Sequence, residues 1–507
     1  MAGLGHATRR ASKRLYPRSG SALALAAALT LGSHTTGESL SLVDAVKAGD
    51  HDAIRAIMKA HPDVNAREPD GTTALHWAVR ADDSETVGLL VRAGAHVNAA
   101  NRYGVVSLRL AAVNGSRTVA AQLIEAGADV NATTPGGETV LMTAARTGNP
   151  DVVRLLADRG ADVSAREHEF GETALMWAAA ENHPAAVRLL AEHGADLNAS
   201  ANVLRFPNVK VDAATMVITA LPRGGLTPLM YAARQGSVEA ARALADLGAD
   251  LNRTDPDGMS ALVIAIINAH YDLAAMLAEK GADPNVADVT GMAAVYAAVD
   301  MHTLDPLVNR PAPIGNTSHA AVDLVGKLLE HGASANATLK TPLLARQHNF
   351  GDPALGAGAT PLMRAAKSSD VAMMELLFAH GASARQSMRN GMTALLFAVT
   401  PSRRKSASDA LTAARLCLEH GADLDARDAS GSTALHLAVA TSDDLVKYLV
   451  ERGARLDARD QLGRTPLDVA LGVGGEGRGR AGRGTAPVVR ESTAALLREL
   501  ATRYAPR

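Results

Sequence analysis

Apolar residues along this chain follow a helical spacing in short bursts, and each burst is closed by a turn. In Asp70–Ala99 the pattern predicts a short helix at about Ala74–Arg80 and a turn at Asp82-Asp83. A second helix follows at Glu85–Arg92, with Val87, Leu90 and Val91 at i, i+3 and i+4 on its buried side. Asp70-Gly71 is a turn signal, and Thr73 fits an N-cap. Gly94 fits the left-handed residue that ends a helix. An extended stretch through Val97-Asn98 leads to the next turn.

This pattern returns about every 33 residues. The closing phrase reads AGAHVNA at Ala93–Ala99, AGADVNA at Ala126–Ala132, RGADVSA at Arg159–Ala165 and HGADLNA at His193–Ala199. A fixed period of this length means stacked supersecondary units that bury their apolar faces against one another. The opening slot reads Thr227-Pro228, Thr360-Pro361 and Thr465-Pro466 in other units, where proline at the first helical position loses no hydrogen bond. Twelve units are expected. Their second helices end near Ala60, Ala93, Ala126, Arg159, His193, Leu247, Lys280, His331, His380, His420, Arg452 and about Thr502.

The period breaks in four places. Asn198 to Asn252 spans 54 residues, Asn285 to Asn336 51, Asn336 to Arg385 49 and Arg385 to Asp425 40. The extra segments are Ala199–Gly224, His302–Thr317, Ala337–Gly356 and Pro401–Ser408. The first and third fall between a second helix and the next turn. The other two fall between the two helices of one unit. The first carries Phe206, and the Val209/Val211 and Met216/Ile218 alternation after it predicts two short strands. The third holds Leu343, Leu344 and Phe350 among polar residues. Long loops bearing apolar residues on a rigid frame are commonly functional; the alternative is loops folded back onto their own array.

The openings TALH at Thr73–His76 and Thr433–His436, TALM at Thr173–Met176, and TPLM at Thr227–Met230 and Thr360–Met363 resemble the ankyrin repeat. With the LLxxGAD closings, the resemblance covers about Leu40 to Leu471. It implies an all-α repeat solenoid of helix-turn-helix units with β-hairpin or extended finger loops. It also implies a structural role for His76 and His436, bonding to neighbouring turns. Ankyrin proteins bind partners with finger tips and the exposed side of the first helices. Carried over unit by unit, the tip positions are Pro69, Asp70 and Thr72, then Arg102, Tyr103 and Val105, then Glu169, Phe170 and Glu172. The helix ends are Arg80, Arg146, Glu181, Arg234 and Gln235. Tyr103, Phe170, Phe206 and Phe350 are candidate aromatic anchors. Trp77, Trp177 and Tyr231 share one slot, which reads as core if it faces the next unit and as a partner contact if it faces the groove.

The chain is 47% hydrophobic but only 3% aromatic, so Ala, Leu and Val must build the core. A net charge of −2 supplies no global field toward nucleic acid or anionic lipid. The single cysteine, Cys417, stands where a buried Leu190 stands in another unit and reads as a small apolar side chain. His193, His331, His380 and His420 recur at second-helix ends. Equivalent positions in a stack lie about 10 Å apart, too far to share a metal held by bonds of about 2 Å. No metal or cofactor is expected, and no phosphate loop, nucleophile elbow or zinc motif occurs.

Both ends depart from the repeat. Arg9, Arg10, Lys13, Arg14 and Arg18 precede an apolar run from Ala22 to Leu31, the layout of a secretory signal. The run is shorter than the about 20 residues of a membrane span. Residues 1–36 are therefore read as a signal peptide of bacterial type, implying a periplasmic or secreted chain. The alternatives are a disordered basic tail and a cytoplasmic regulator. Removal of 1–36 leaves 46 Lys and Arg against 53 Asp and Glu, a charge of −7. The array occupies 37–471, with an N-terminal cap at 40–66. A Gly/Arg-rich loop at 472–490 precedes a capping helix within 491–507. The expected function is a monomeric, non-enzymatic scaffold that holds a protein partner, without nucleic acid or a membrane span. The competing class is a ligand or enzymatic pocket built by the two finger insertions, with Arg205, Arg346 and His348 converging.

Overall fold

The computed structural model describes residues 40–204, 223–303, 321–342, 352, 354–401, 406–473 and 489–504. The N-terminal basic and apolar stretch, the two strands expected near 209–218, and Phe206 and Phe350 lie outside them. So do Arg205, Arg346 and His348, on which the pocket reading depends. Twelve helix pairs run in chain order among the described residues, from Leu42–Ala48 with His51–Lys59 to Pro466–Ala470 with Glu491–Arg503. They are numbered here as units 1 to 12. First helices pack on neighbouring first helices, and second helices on second helices. The architecture is the all-α repeat solenoid expected from the sequence.

Unit 2 shows how the sequence makes one pair. Its helices run Ala74–Arg80 and Ser84–Arg92. The Asp83 carboxylate caps the second helix by accepting the Thr86 N–H at 3.0 Å. Gly94 then turns the chain at φ +87°, with open space around it, so backbone conformation alone selects glycine there. The second helix buries Thr86, Val87 and Leu90, while Val91 is only half-buried. The expected i, i+3, i+4 stripe is thus rotated by one position toward Thr86. Ala78, Ala111, Ala144, Ala178 and Ala232 share one fully buried slot of the first helices. A methyl group there lets neighbouring helices approach closely, which accounts for a core poor in aromatics. The fingers form isolated antiparallel bridges, such as Arg67 with Thr73 and Ala100 with Val106, rather than extended strands.

The closing phrase has a further role, in which asparagine ties one unit to the next. The Asn98 amide donates to the Gly127 carbonyl at 2.9 Å, and its oxygen accepts the Asp129 N–H at 2.8 Å. Asn131 makes the same pair of bonds to Gly160 and Asp162, and Asn65 to Gly94 and His96. Only a carboxamide of this length both donates and accepts. The bridge also spans the insertions. Asn198 accepts from Asp250, 52 residues on, while Asn285 bridges to Gly332 and Ser334, and Asn336 to Gly381 and Ser383. The extra segments therefore leave the stacking register intact. At four joints another residue replaces the asparagine. Ser164 is too short and bonds instead to Asp162 of its own turn. Arg385 donates to the Gly421 carbonyl at 3.2 Å but cannot accept, and Asp425 and Asp457 have no donor to offer.

Histidine supplies a second tie. The His76 Nδ1 accepts from the Thr73 N–H at 3.2 Å, so its Nε2 donates to the Val105 carbonyl of unit 3 at 3.0 Å. His436 repeats this toward Arg464, as the resemblance implies. Arg109 occupies the histidine slot of unit 3. Its guanidinium reaches the Glu138 backbone carbonyl, one repeat beyond Val105, and pairs with the Glu138 carboxylate at 2.9 Å. On the outer side, exposed ion pairs such as Arg55–Glu85 at 2.9 Å and Lys327–Glu279 at 2.8 Å link successive second helices. Each adds little on its own.

Two outcomes are expected. Ser164→Asn should restore the missing joint by bonding the Gly194 carbonyl and the Asp196 N–H, stabilising the array by about 1 kcal/mol, whereas Asn98→Ala should cost about 1–3 kcal/mol. Urea titration followed by circular dichroism measures both. The second concerns pH. Burial holds the His76 imidazole below its ordinary value of 6.5. Its contribution is therefore present above that pH and declines as pH falls toward the lower folded value. Met142, Met176 and Met230 fill the same slot in other units. His76→Met should be the less stable protein at pH 7.5, with the gap narrowing by pH 5. Parallel thermal-denaturation curves across that range would contradict this.

Candidate functional site: finger tips and the first-helix face

The finger tips are joined by backbone bonds between units. The Arg102 N–H donates to the Asp70 carbonyl at 2.8 Å, His168 to Gly136 at 2.8 Å, Asn202 to Phe170 at 2.6 Å and Val289 to Asp257 at 2.9 Å. Side chains at these tips therefore sit on braced turns, while Pro135 and Pro256 have no N–H to make the equivalent bond between units 3 and 4 and between units 6 and 7. Tyr103 is 58% exposed and Phe170 39%. The Arg102 guanidinium lies 4.8 Å from the Tyr103 ring and donates to its hydroxyl at 2.6 Å, which fixes that ring in place. Asp70 serves its own turn by accepting the Thr72 N–H at 2.9 Å, and that bond holds its carboxyl below the usual range. Thr72 is buried, so its side chain is part of the turn and not of an outward surface. Three further exposed apolar residues, Val203, Val289 and Leu462, occupy the tips of later units. Leu462, like Tyr103 and Phe170, directly precedes its turn glycine, and that placement is the sequence signal that marks it.

The insertions begin and end on this frame. Val203 bridges Gly224 as an antiparallel pair, and Arg223 reaches Asp257 of the next tip at 2.6 Å. The first insertion thus leaves from and returns to one finger. At the end of the third, Asp352 pairs with Lys367 on the first helix of unit 9.

The first-helix face carries the other candidates. Arg80, Glu181, Arg234 and Gln235 are exposed; Arg146 and Glu172 are half-buried. The shared aromatic slot resolves into two situations. Trp77 and Trp177 are half-buried, whereas Tyr231 is buried. Burial pushes the Tyr231 hydroxyl far above its usual range, with the Glu172 carboxylate beside it as the next cause. Cations lie over these rings. Lys47 of unit 1 is 4.7 Å from the Trp77 ring, Arg146 of unit 4 is 4.7 Å from Trp177 of unit 5, and Lys367 of unit 9 is 6.0 Å from Phe397 of unit 10. Arg80 and Arg234 meet non-aromatic neighbours, Leu110 and Ile264, in that slot of the following unit. They fold back over Trp77 and Tyr231 of their own units, at 5.2 and 4.8 Å. Between units 8 and 9 the same relation is an ion pair, with Asp300 and Arg364 almost fully buried at 2.7 Å. That pair was not legible from the repeat pattern, because both residues replace its usual side chains.

Among the described residues no group of histidine, cysteine or acidic side chains could hold a metal. His193 meets Asp158 at 3.0 Å, and the Leu189 carbonyl followed by that carboxylate raises its pKa. Cys417 is buried. No helix among the described residues is long and apolar enough to cross a membrane.

A stack of capped helix pairs with bridged finger tips defines a class of repeat solenoids whose units contact only their neighbours. The family model "Ankyrin repeats (3 copies)" matches residues 42–134, 108–201, 209–288 and 405–476, more than half of the sequence, and the chain belongs to the ankyrin repeat family. Among solved structures it is similar to the human ASB11 ankyrin repeat domain at 25% identity, covering 44% of this chain and 90% of that one, with a TM-score of 0.37. No curated protein matches it. Ankyrin repeats are in general protein–protein interaction modules, and the fold is typically a non-enzymatic scaffold.

Proposed function

We propose that this chain is a non-enzymatic scaffold that holds a protein partner across its finger tips and first-helix face. The observation that carries this reading is the placement of Tyr103 and Phe170. Both are exposed aromatic side chains on tips braced by bonds between units. Aromatic anchors on a preorganised edge lose little entropy on binding, and such residues dominate interface energetics. The first-helix face adds guanidinium groups held over aromatic rings, which are planar donors already oriented for recognition. The second-helix side offers a poorer surface, since many of its charges are consumed by ion pairs along the stack.

The test is site-directed photo-crosslinking in intact cells. A photoreactive residue at 102, 103, 169 or 235 should give discrete protein adducts, and one at 55 or 154 on the second helices should not. Tyr103→Ala combined with Phe170→Ala should lower the adduct yield from position 235 at least tenfold, with the thermal transition unchanged. Equal yields from both sides of the array, or full capture by the double variant, would overturn the reading.

A further inference from the structure

The two tryptophans of the chain occupy one slot in units 2 and 5, and comparing them exposes a missing group. Trp77 lies beneath Lys47, and its indole N–H donates to the Glu68 carboxylate at 2.6 Å. Trp177 lies beneath Arg146, but its indole nitrogen, although shielded from solvent, has no hydrogen-bond partner among the described residues. The cause lies in the turn before it. In unit 2 the Glu68 N–H closes the turn on the Thr72 carbonyl, whereas in unit 5 the Glu167 N–H closes on Glu172, one residue further along. The longer turn swings the Glu167 carboxylate onto the backbone N–H groups of Glu169, Phe170 and Glu172. The acceptor that Trp77 receives from its own chain is therefore withheld from Trp177.

The surroundings repeat the imbalance. Arg80 and Arg234 are exposed and make no ion pair with a described residue; each lies across an aromatic ring. Arg146 touches Glu138 only at 3.6 Å, because that carboxylate is held by Arg109 at 2.9 Å. Other acids of the face in these units include Glu68, committed to Lys47 and Trp77; Glu172, beside Tyr231; and Glu181, exposed.

We propose that Arg146 and Trp177 form a receptor for a carboxylate, presented by an acidic side chain of an extended partner segment that also meets Arg80 and Arg234. This rests on the scaffold reading above and names the chemistry of the partner. The incoming carboxylate pairs with the Arg146 guanidinium, draws it off the ring and accepts the indole N–H, completing at Trp177 the arrangement Trp77 already has. Arg80, Arg146 and Arg234 recur on every second unit, roughly 20 Å apart at about 10 Å per unit. An extended chain rising about 3.3 Å per residue would present an acid roughly every six residues. Glu181 disfavours an acid directly opposite itself.

The full chain carrying Trp77→Phe has Trp177 as its sole tryptophan, so indole emission reports on this slot alone. The probe is a synthetic thirteen-residue peptide, about 43 Å long when extended at about 3.3 Å per residue, with Glu at both ends and the centre and neutral residues between. Its control carries Gln in their place. A saturable emission change with the Glu peptide, at least tenfold weaker with the Gln peptide and at least tenfold weaker in Arg146→Met, is expected. Anisotropy of labelled peptide should show Trp177→Phe several-fold weaker, and circular dichroism should show every variant folded. Equal binding of the Glu and Gln peptides, no binding of either, or tighter binding of single-stranded oligonucleotide than of the Glu peptide would overturn the proposal. If it fails while the tip and position-235 adducts persist, the scaffold reading stands and only the acidic partner falls.

Discussion

The asparagine bridge between successive closing loops is the constraint on which the rest of this structure depends. It is a short side chain that donates to one carbonyl and accepts from one N–H exactly one unit on, as Asn98 does with Gly127 and Asp129. Those two bonds fix the offset between neighbouring units more tightly than apolar contact alone, because hydrogen bonds are directional and hydrophobic burial is not. The bonds are individually modest. Their effect comes from repetition in an array where each unit contacts only its neighbours.

Register has functional consequences. Once the offset between units is fixed, equivalent side chains fall into rows. One row holds Trp77, Trp177, Tyr231 and Phe397, and another holds the cations that cover them. A substitution in a row then becomes a change in the character of the surface. Where the aromatic is followed by Leu110 or Ile264, the arginine folds back over its own unit. Where Asp300 and Arg364 replace the usual pair, the contact closes into a buried ion pair. The same regularity carries the insertions. Asn198 reaches Asp250 across 52 residues, so a long segment can leave a finger without disturbing the stack beneath it.

Much of the fold was legible in the sequence, for a physical reason. N-cap threonine, first-turn proline and left-handed glycine act locally, so Thr73, Pro228 and Gly94 could be read one at a time. The tie made by Asn98 was not read that way, because its partners lie one repeat distant and the asparagine looks like any polar loop residue. The exposure of the candidate site residues was legible in part. Tyr103 and Phe170 stand out because an aromatic directly before a turn glycine has nowhere to bury. Thr72 misled, since its neighbours at the tip are exposed while its own side chain turns inward. The unmatched indole of Trp177 could not be foreseen, because it follows from a single extra residue in the turn that redirects Glu167.

If asparagine bridges set the coupling, the array should open in blocks bounded by the joints that lack them. Native-state hydrogen exchange, followed by residue across rising sub-denaturing urea, tests this most directly. Amides of units 1 to 4 should merge into one opening reaction, distinct from that of units 5 to 9, with boundaries at Ser164 and Arg385. A single opening shared by the whole array, or a boundary falling between Asn65 and Asn131, would contradict it.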